Sequence, residues 1–277
     1  MAAILLALAS SVIWGTTDFA GGMLTRRLPL AGVTVISQAS GFVLLLVILA
    51  FSRTIDWRSA WLGAIGGVAL GIGLACFYAA LARGTMSIVS PITACAAVVP
   101  VALALGAGER PSVIALAGSG IALGGAILAS FEERSSKESG RSNAVVLAVA
   151  AAFAFGIWIY FLGRGSHDGS AFSTLVGARV GGLTVLLAWA IASRSSLRMG
   201  ARSASVVAIV GLGDIAGSAL FALATQHGLI SVVAVLGSLF AIVTVMLAYL
   251  ILGERISRVQ RVGVIVALCG VAVVAAA

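Results

Sequence analysis

The chain has 277 residues and a formal net charge of +8, with 61% hydrophobic residue types, 9% charged types and a mean hydropathy of +1.18. Soluble domains carry about a quarter of their residues as charged types, so this composition excludes an ordinary soluble domain and predicts an integral membrane protein. The positive charge does not indicate nucleic-acid binding, because the basic residues fall mostly in short loops between apolar runs, where they orient helices in the membrane.

Ten apolar runs follow one another along the chain, each roughly 18 to 23 residues long and able to cross a hydrocarbon core of ~30 Å as a helix. The first run lacks the basic residues that begin a secretory signal, so we interpret it as a retained first helix. We therefore predict an all-α polytopic membrane protein with ten transmembrane helices. The predicted spans are 2–22, 32–51, 60–82, 87–107, 112–130, 144–163, 171–192, 204–226, 231–252 and 258–276.

A polar segment divides the chain near its middle. Residues 131–143 read FEERSSKESGRSN, which is charged, rich in serine and without an apolar face, as expected for a solvated linker. The segment leaves five predicted helices on each side. We therefore predict a first repeat at residues 1–130 and a second repeat at residues 144–277.

An internal repeat supports this division. The pentapeptide GERPS at residues 108–112 is matched by GERIS at residues 253–257, and glycine, leucine and serine positions match at offsets of 141 to 145 residues. In GERxS we expect the glycine to end a helix, the Glu and Arg to lie solvated at the membrane interface, and the serine to cap the next helix. Because five is an odd number, the second half must enter the membrane from the opposite side. This predicts two inverted five-helix repeats around a central cavity, as in secondary transporters.

Three segments resemble a known family. They are WGTTDF in helix 1, SPITACAAVVPVALALGAGERPS in helix 4 and VVAVLGSLFAIVTVMLAYLILGERIS in helix 9. They resemble the EamA-type branch of the drug/metabolite transporter superfamily over essentially the whole chain, and the overall length and texture are most similar to YddG-type amino-acid exporters. The resemblance implies a non-enzymatic, multi-pass exporter of small metabolites in the inner (plasma) membrane.

Ionisable residues inside predicted spans are costly, and they therefore mark candidate functional positions. Arg179 in helix 7 and Asp214 in helix 8 lie at similar depth, so we expect them to pair. The pair either locks the two helices together or binds the carboxylate and ammonium groups of an amino acid. In the first repeat, Gln38 corresponds to Arg179 and Leu70 to Asp214, so this pair sits in one half only.

Asp18 is the third such residue. It lies within two turns of the predicted end of helix 1, near Arg26 and Arg27. We expect it to be an interfacial partner of these arginines, with a proton carrier as the alternative.

Aromatic side chains within the spans would supply the apolar walls of a pocket, and each is also a candidate for simple packing. Pro91 and Pro100 in helix 4 are candidate hinges or static bends. The predicted substrate site comprises Arg179, Asp214, Gln38, Trp158, Tyr78, Trp14, Ser218 and Phe221.

Transport of amphipathic amino acids by alternating access is the function that these patterns favour. Proton-coupled efflux of organic cations is the first alternative, and an organic-phosphate exchanger, a channel or a non-transporting scaffold rank below it. We expect no enzyme activity, cofactor or metal, since no catalytic or metal-ligand spacing occurs. We expect a monomer with a small-molecule substrate in a lipid bilayer. Twelve Lys/Arg residues follow odd-numbered helices, counting Arg258 and Arg261 at the start of the tenth span, and four follow even-numbered ones. This count places the termini outside, whereas the resemblance implies cytosolic termini.

Overall fold

The computed structural model describes residues 1–52, 54–84, 86–128, 141–253 and 257–276. Most of the predicted linker, and Glu254 and Arg255 of the second pentapeptide, lie outside these residues. The described part is helical throughout, without strands. Its α-helices are α1 (Ala2–Thr25), α2 (Leu30–Ser52), α3 (Trp57–Arg83), α4 (Met86–Ala94), α5 (Val98–Gly106), α6 (Val113–Leu128), α7 (Arg141–His167), α8 (Ala171–Ala192), α9 (Ala201–Gln226), α10 (Ile230–Gly237), α11 (Phe240–Leu252) and α12 (Arg258–Ala275).

Seven helical stretches in the described part are long and apolar enough to cross a membrane, counting α10 with α11 as one. Three shorter apolar stretches run over Ile92–Gly106, Val113–Gly125 and Arg261–Val274. The outward faces of the long helices carry large exposed apolar side chains, such as Leu44, Ile72 and Phe153. This is the surface of a polytopic membrane protein, which is the predicted fold class at this level.

The predicted span 87–107 is not one continuous helix. It consists of α4 and α5, which are separated by the 3₁₀ turn Cys95–Ala97. Pro100 explains the break, because proline has no amide hydrogen to donate to the carbonyl four residues earlier, at Ala96. Of the two candidate hinge prolines, Pro100 thus lies directly after a break. The side chain of Pro91 lies outside the described part.

The predicted span 231–252 is divided at the corresponding place. It consists of α10 and α11, between which Leu239 N donates to Leu236 O at 3.3 Å in the manner of a 3₁₀ turn. Gly237 and Ser238 precede the break, and helices commonly kink at such Gly/Ser pairs. No proline marks this break, and the pair Gly237 and Ser238 was not recognised as its signal in the sequence.

The two halves, residues 1–128 and 141–276, pack against each other along most of their length. Helix α3 packs on α7 and α8, and α9 packs on α1 and α2. Helix α4 contacts α11 as α5 contacts α10, and α6 pairs with α12. Helices α1 to α6 correspond in order to α7 to α12. When each helix is replaced by its counterpart, the set of contacting pairs stays the same. The core and the cavity described below lie where the halves meet.

Backbones approach closely between α3 and α8. A Cβ atom placed on Gly177 would overlap the carbonyl oxygen of Ala60, and one on Gly67 would overlap that of Ala178. Small residues allow such contact between membrane helices, where dispersion and shape rather than the hydrophobic effect drive association. The glycines whose Cβ position faces backbone of the opposite helix are Gly63, Gly67, Gly71, Gly177, Gly181 and Gly182.

The GERPS loop follows the predicted roles in part. Gly108 adopts φ +98° shortly after α5 ends, and Ser112 Oγ accepts a hydrogen bond from Ala115 N at 3.1 Å at the start of α6. Glu109 differs from the prediction, because its carboxylate binds the other half of the chain instead of lying solvated. In the second pentapeptide, Gly253 ends α11 with φ +67°.

Candidate functional site

A cavity lies between the two halves, near the middle of the helices. Its volume is about 30 Å³, about the room that one water molecule occupies. Pockets that hold small organic ligands are about ten times larger or more, so a solute needs the surrounding helices to move apart. The cavity is lined by Trp14, Asp18, Leu70, Leu74, Phe155, Trp158, Ile159, Asp214 and Phe240.

The cavity lining follows the repeat. Trp14 corresponds to Phe155 and Asp18 to Ile159 at an offset of 141 residues, and Leu70 corresponds to Asp214 at an offset of 144. All six side chains line the cavity. Each half therefore contributes one carboxyl group, and the corresponding position in the other half is apolar.

Asp18 lines the cavity between the halves, and the expectation that it pairs with Arg26 and Arg27 is wrong. Helix α1 continues to Thr25, so Asp18 is seven residues from the helix end, which corresponds to ~10 Å along the axis. Its side chain lines the cavity together with Asp214. The charge of the cavity is consequently not confined to the second half.

Arg179 and Asp214 make the predicted contact. Arg179 Nη2 lies 2.7 Å from Asp214 Oδ2, and the Arg179 side chain is only 1% exposed. Gln38 completes the network, since its Oε1 accepts a hydrogen bond from Arg179 Nη1 and its Nε2 donates to Asp214 Oδ2 at 3.2 Å. The repeat counterparts Gln38 and Arg179 are thus in direct contact, and the network joins α2, α8 and α9.

This network occupies both terminal nitrogens of Arg179. Arg179 and Gln38 lie behind the cavity wall, whereas the Asp214 side chain is 16% exposed and reaches the cavity. Ser218, another predicted site residue, donates to the backbone oxygen of Asp214 at 2.8 Å and so belongs to its own helix. In this conformation Arg179 fixes the position of Asp214.

Asp18 has no such partner. Among the residues that the structure describes, none forms a hydrogen bond or ion pair with its carboxyl group. When both carboxyl groups are ionised, the cavity and its supporting network hold two negative charges and the single positive charge of Arg179. An ionised group at this depth costs roughly 2.5–3.5 kcal/mol on insertion scales and needs a partner or water. Asp18 is therefore open to an ammonium group, a proton or water.

Aromatic rings form much of the wall. The ring centroids of Trp14 and Trp158 lie 5.3 Å apart, and those of Phe155 and Trp158 lie 6.3 Å apart. Phe221 stacks on Trp14 from behind, at 5.4 Å, and is fully buried. Tyr78 is also buried, outside the lining, where Gly21 leaves room for its hydroxyl group. Of the predicted aromatic site residues, Trp14 and Trp158 face the cavity, and Phe221 and Tyr78 support it.

The sequence analysis missed several lining residues. Phe155 is the repeat counterpart of Trp14, and this relation alone would have found it. Phe240 follows the break between α10 and α11, whose Gly237–Ser238 signal was not recognised in the sequence. Leu74 and Ile159 are aliphatic and cannot be told from packing residues by type.

Two buried polar atoms belong to the cavity wall. The indole nitrogens Trp14 Nε1 and Trp158 Nε1 have no hydrogen-bond partner in the described residues. A buried indole N–H usually finds an acceptor, and leaving a buried donor unpaired costs about 1–3 kcal/mol. These donors are available to an acceptor that another conformation or a bound solute provides.

Metal-binding and disulfide chemistry do not explain the cavity. No group of three or more His, Cys, Asp or Glu side chains that could hold a metal occurs in the described part of the chain. Cys76, Cys95 and Cys269 are not joined by disulfide bonds.

Comparison with known proteins identifies the family. A model of the EamA-like transporter family matches residues 1–131 and again residues 142–276. No curated protein sequence matches the chain. Among solved structures, a crystal structure described only as that of a protein matches with a TM-score of 0.74 at 17% sequence identity, covering 98% of this chain and 95% of the other. At that identity the likeness concerns the fold alone. The family match spans both halves, and the chain belongs to the EamA-like transporter family of membrane transporters.

Proposed function

We propose that this protein is a secondary transporter that moves small amphipathic solutes with an amino group, foremost amino acids with aromatic or apolar side chains. We assign it the role of a monomeric exporter in the inner (plasma) membrane, similar to YddG-type amino-acid exporters. The observation that carries the proposal is Asp18, a carboxyl group without a partner among the described residues, in a cavity walled by aromatic rings.

Alternating access is supported by the packing of the two halves. The helix pairs that join the halves form a set that is unchanged when corresponding helices are exchanged. The two interrupted spans, α4–α5 and α10–α11, are broken at positions that correspond within two residues at the repeat offset of 144. Paired interrupted helices are a feature of inverted-repeat transporters. We infer ten membrane crossings in two inverted five-helix repeats, with each half rocking against the other around the cavity.

The cavity chemistry suits an amphipathic amine. An ammonium group would pair with Asp18 and offset the excess negative charge, and an apolar or aromatic side chain would pack on Trp14, Phe155 and Trp158. The unpaired indole donors of Trp14 and Trp158 would serve a carboxylate or carbonyl oxygen of the solute. Arg179 then acts through Asp214 in this conformation, and a direct contact with the substrate carboxylate requires that the network opens.

Organic-cation efflux is the second candidate. It is favoured by the charge balance, because two carboxyl groups against one guanidinium leave the site net negative and no free cation faces the cavity from the lining residues. A monocation with an apolar body would satisfy Asp18 as well as an amino acid does. The two candidate functions differ in whether the carboxylate of the solute contributes to its binding.

Counterflow into proteoliposomes distinguishes them with three matched solutes. Phenylalanine carries both charges, phenethylamine lacks the carboxylate and N-acetylphenylalanine lacks the ammonium group. We expect exchange of phenylalanine, weaker exchange of phenethylamine and none of N-acetylphenylalanine. Preference for phenethylamine and quaternary-ammonium drugs over phenylalanine would establish the second candidate, and exchange of none of these solutes would refute the proposal.

Asp18→Asn tests the residue on which the proposal depends. We expect it to reduce counterflow of amines at least tenfold, because the amide cannot neutralise an ammonium group in a low-dielectric site. Asp168→Asn is the matched control, since Asp168 is a half-exposed carboxylate paired with Arg164 at the surface. Equal transport by the two variants would exclude Asp18 from the site.

A further inference from the structure

Several polar contacts between the two halves lie at one end of the molecule, here called the terminus end because α1 begins there. They form two clusters. The first joins the start of α3 to the end of α7 and the start of α8, and the second joins the loop after α5 to the start of α10. Gln226, at the end of α9, donates to Ser166 O at 3.1 Å and so holds the segment before α10 to the end of α7.

Ser59 is the centre of the first cluster. Its hydroxyl oxygen accepts a hydrogen bond from Ser170 N at 3.0 Å and lies 2.9 Å from Gly165 O. It also contacts the carboxylate of Asp56, which caps α3, so its single proton has two acceptors. Asp56 N donates to Ser173 Oγ at 3.0 Å, which is a further bond between the halves. Ser59 is buried, so these bonds are protected from water.

Glu109 is the centre of the second cluster. Its carboxylate accepts hydrogen bonds from Ile230 N at 2.9 Å, from Ser231 N at 3.0 Å and from Ser231 Oγ at 2.7 Å. A carboxylate at the start of a helix satisfies free amide groups and interacts favourably with the helix dipole. The first half of the chain thus holds the N-terminus of a helix that belongs to the second half.

The opposite end does not carry the first cluster. In the repeat, Asp56 corresponds to Gly200 at an offset of 144, and Ser170 and Ser173 correspond to Pro29 and Gly32 at an offset of 141. These residues offer no side-chain oxygen. Gly32 instead lies against the side chain of Met199 and the backbone of Leu197. The residue that corresponds to Glu109 is Glu254, which lies outside the described residues.

The second cluster is connected to the cavity. Helix α10 has only eight residues, and it ends at the break that places Phe240 in the cavity wall. Helix α11 is tied to α1 by Thr244 Oγ1, which donates to Gly15 O at 3.0 Å. Glu109 therefore fixes the free end of a short helix whose other end adjoins the cavity.

We propose that the Ser59 and Glu109 clusters form a latch, which closes the terminus end and favours the conformation in which the cavity communicates with the opposite end. The Ser59 cluster makes this latch one-sided. The latch rests on the proposed transport function, yet it concerns residues outside the cavity. Because the Ser59 cluster has no counterpart, the two access states differ in free energy even without a solute. Breaking a latch bond shifts the population toward the state that is open at the terminus end.

Side-specific labelling of a cavity cysteine tests the latch. A variant without Cys76, Cys95 and Cys269 receives a single cysteine at Leu74, which lines the cavity, and is labelled in oriented vesicles with a membrane-impermeant maleimide. Cysteines at Asp168 and at Ser196, both exposed and near opposite ends, identify the two sides. We expect the Leu74 cysteine to react mainly from the end opposite the termini.

Ser59→Ala and Glu109→Gln should each shift labelling toward the terminus end by about fivefold, the factor that roughly one hydrogen bond supplies. Ser231→Ala, which removes one bond of three, should shift it less. Ser203→Ala is the matched control, because Ser203 corresponds to Ser59 in the repeat and starts α9 at the opposite end. Unchanged labelling in folded Ser59→Ala and Glu109→Gln, or an equal shift in Ser203→Ala, would overturn the latch. Labelling needs no solute, so failure of counterflow refutes the proposed function without affecting this test.

Discussion

The interfaces α3–α8 and α2–α9 occupy corresponding positions in the two halves, yet they are built from different chemistry. Between α3 and α8, six glycines bring the two backbones together, and only the helix ends contribute polar bonds. Between α2 and α9, Gly41 and Gly211 are the close contacts, and polar side chains supply the rest: Gln38 bonds Asp214, and Ser40 bonds the backbone of Ala208. One interface depends on shape and the other on buried hydrogen bonds. The same fold position therefore tolerates either solution, and the polar one carries the Asp214 carboxylate to the cavity.

Removing the cation from the polar interface should have the largest effect. Arg179→Gln leaves Asp214 buried beside the cavity without its counter-charge, which costs about 3–5 kcal/mol when one member of a buried pair is lost. We expect thermal stability in detergent and counterflow to fall together. Combining Arg179→Gln with Asp214→Asn should restore much of the stability but not the transport. Transport loss in Arg179→Gln at unchanged stability would instead indicate direct substrate binding by Arg179.

Adding one methyl group to the α3–α8 interface should have the second-largest effect. Gly177→Ala places a Cβ atom against the carbonyl oxygen of Ala60, where backbone cannot move aside without separating α3 from α8. Overpacking of this kind costs about 1–3 kcal/mol, which for a chain of this size corresponds to a lowering of Tm by several degrees. Gly124→Ala is the control, because nothing lies within 4 Å of its Cβ position. Equal Tm values for the two variants would contradict the close packing.

Two serine-to-alanine substitutions compare how much side-chain hydrogen bonds stabilise each interface. Ser40→Ala removes one hydrogen bond to Ala208 O, and Ser59→Ala removes bonds to both Gly165 and Ser170. Each lost bond is worth about 0.5–1.5 kcal/mol, with a further cost where a buried partner is left unpaired. We expect Ser59→Ala to destabilise more in thermal unfolding. The reverse order would show that the polar interface α2–α9 is the more strongly held.

Lowering the pH should slightly reduce the stability that Asp56 contributes at the start of α3. The Ser59 hydroxyl is the largest influence on the pKa of Asp56 and lowers it below its ordinary value of 3.8. Desolvation is the next largest and opposes it, and the backbone amides of Arg58, Ser59 and Ser170 lower the pKa further. A carboxyl group with a lowered folded-state pKa stabilises the protein above its unfolded pKa, and this contribution disappears as the pH falls through the folded pKa. The stability difference between wild type and Asp56→Asn should therefore stay constant from pH 5 to pH 8 and shrink below about pH 4. A difference that changes around neutral pH would refute this assignment.

Hydropathy and the repeat predicted much of the architecture. Apolar runs located the long helices because membrane helices must bury every backbone hydrogen bond internally, and similar depth brought Arg179 and Asp214 together. The interruption between α10 and α11 was missed, since an apolar run looks the same whether or not one turn is tightened. Asp18 was misplaced because the end of α1 was set three residues too early, and the partner of Glu109 was missed because a bond over 121 residues leaves no local pattern.

The pairing of α6 with α12 has a consequence for how the two halves can assemble. A Cβ atom on Gly118 would meet Gly270 O, and one on Gly125 would meet Gly263 O, while Gly263 and Gly270 are themselves the counterparts of Gly118 and Gly125. The surface of α6 that contacts α12 thus corresponds in the repeat to the surface of α12 that contacts α6. This is the geometry of an isologous two-fold dimer. A contact of this kind does not require the halves to be joined, so it is also available to two separate copies of one half of the chain.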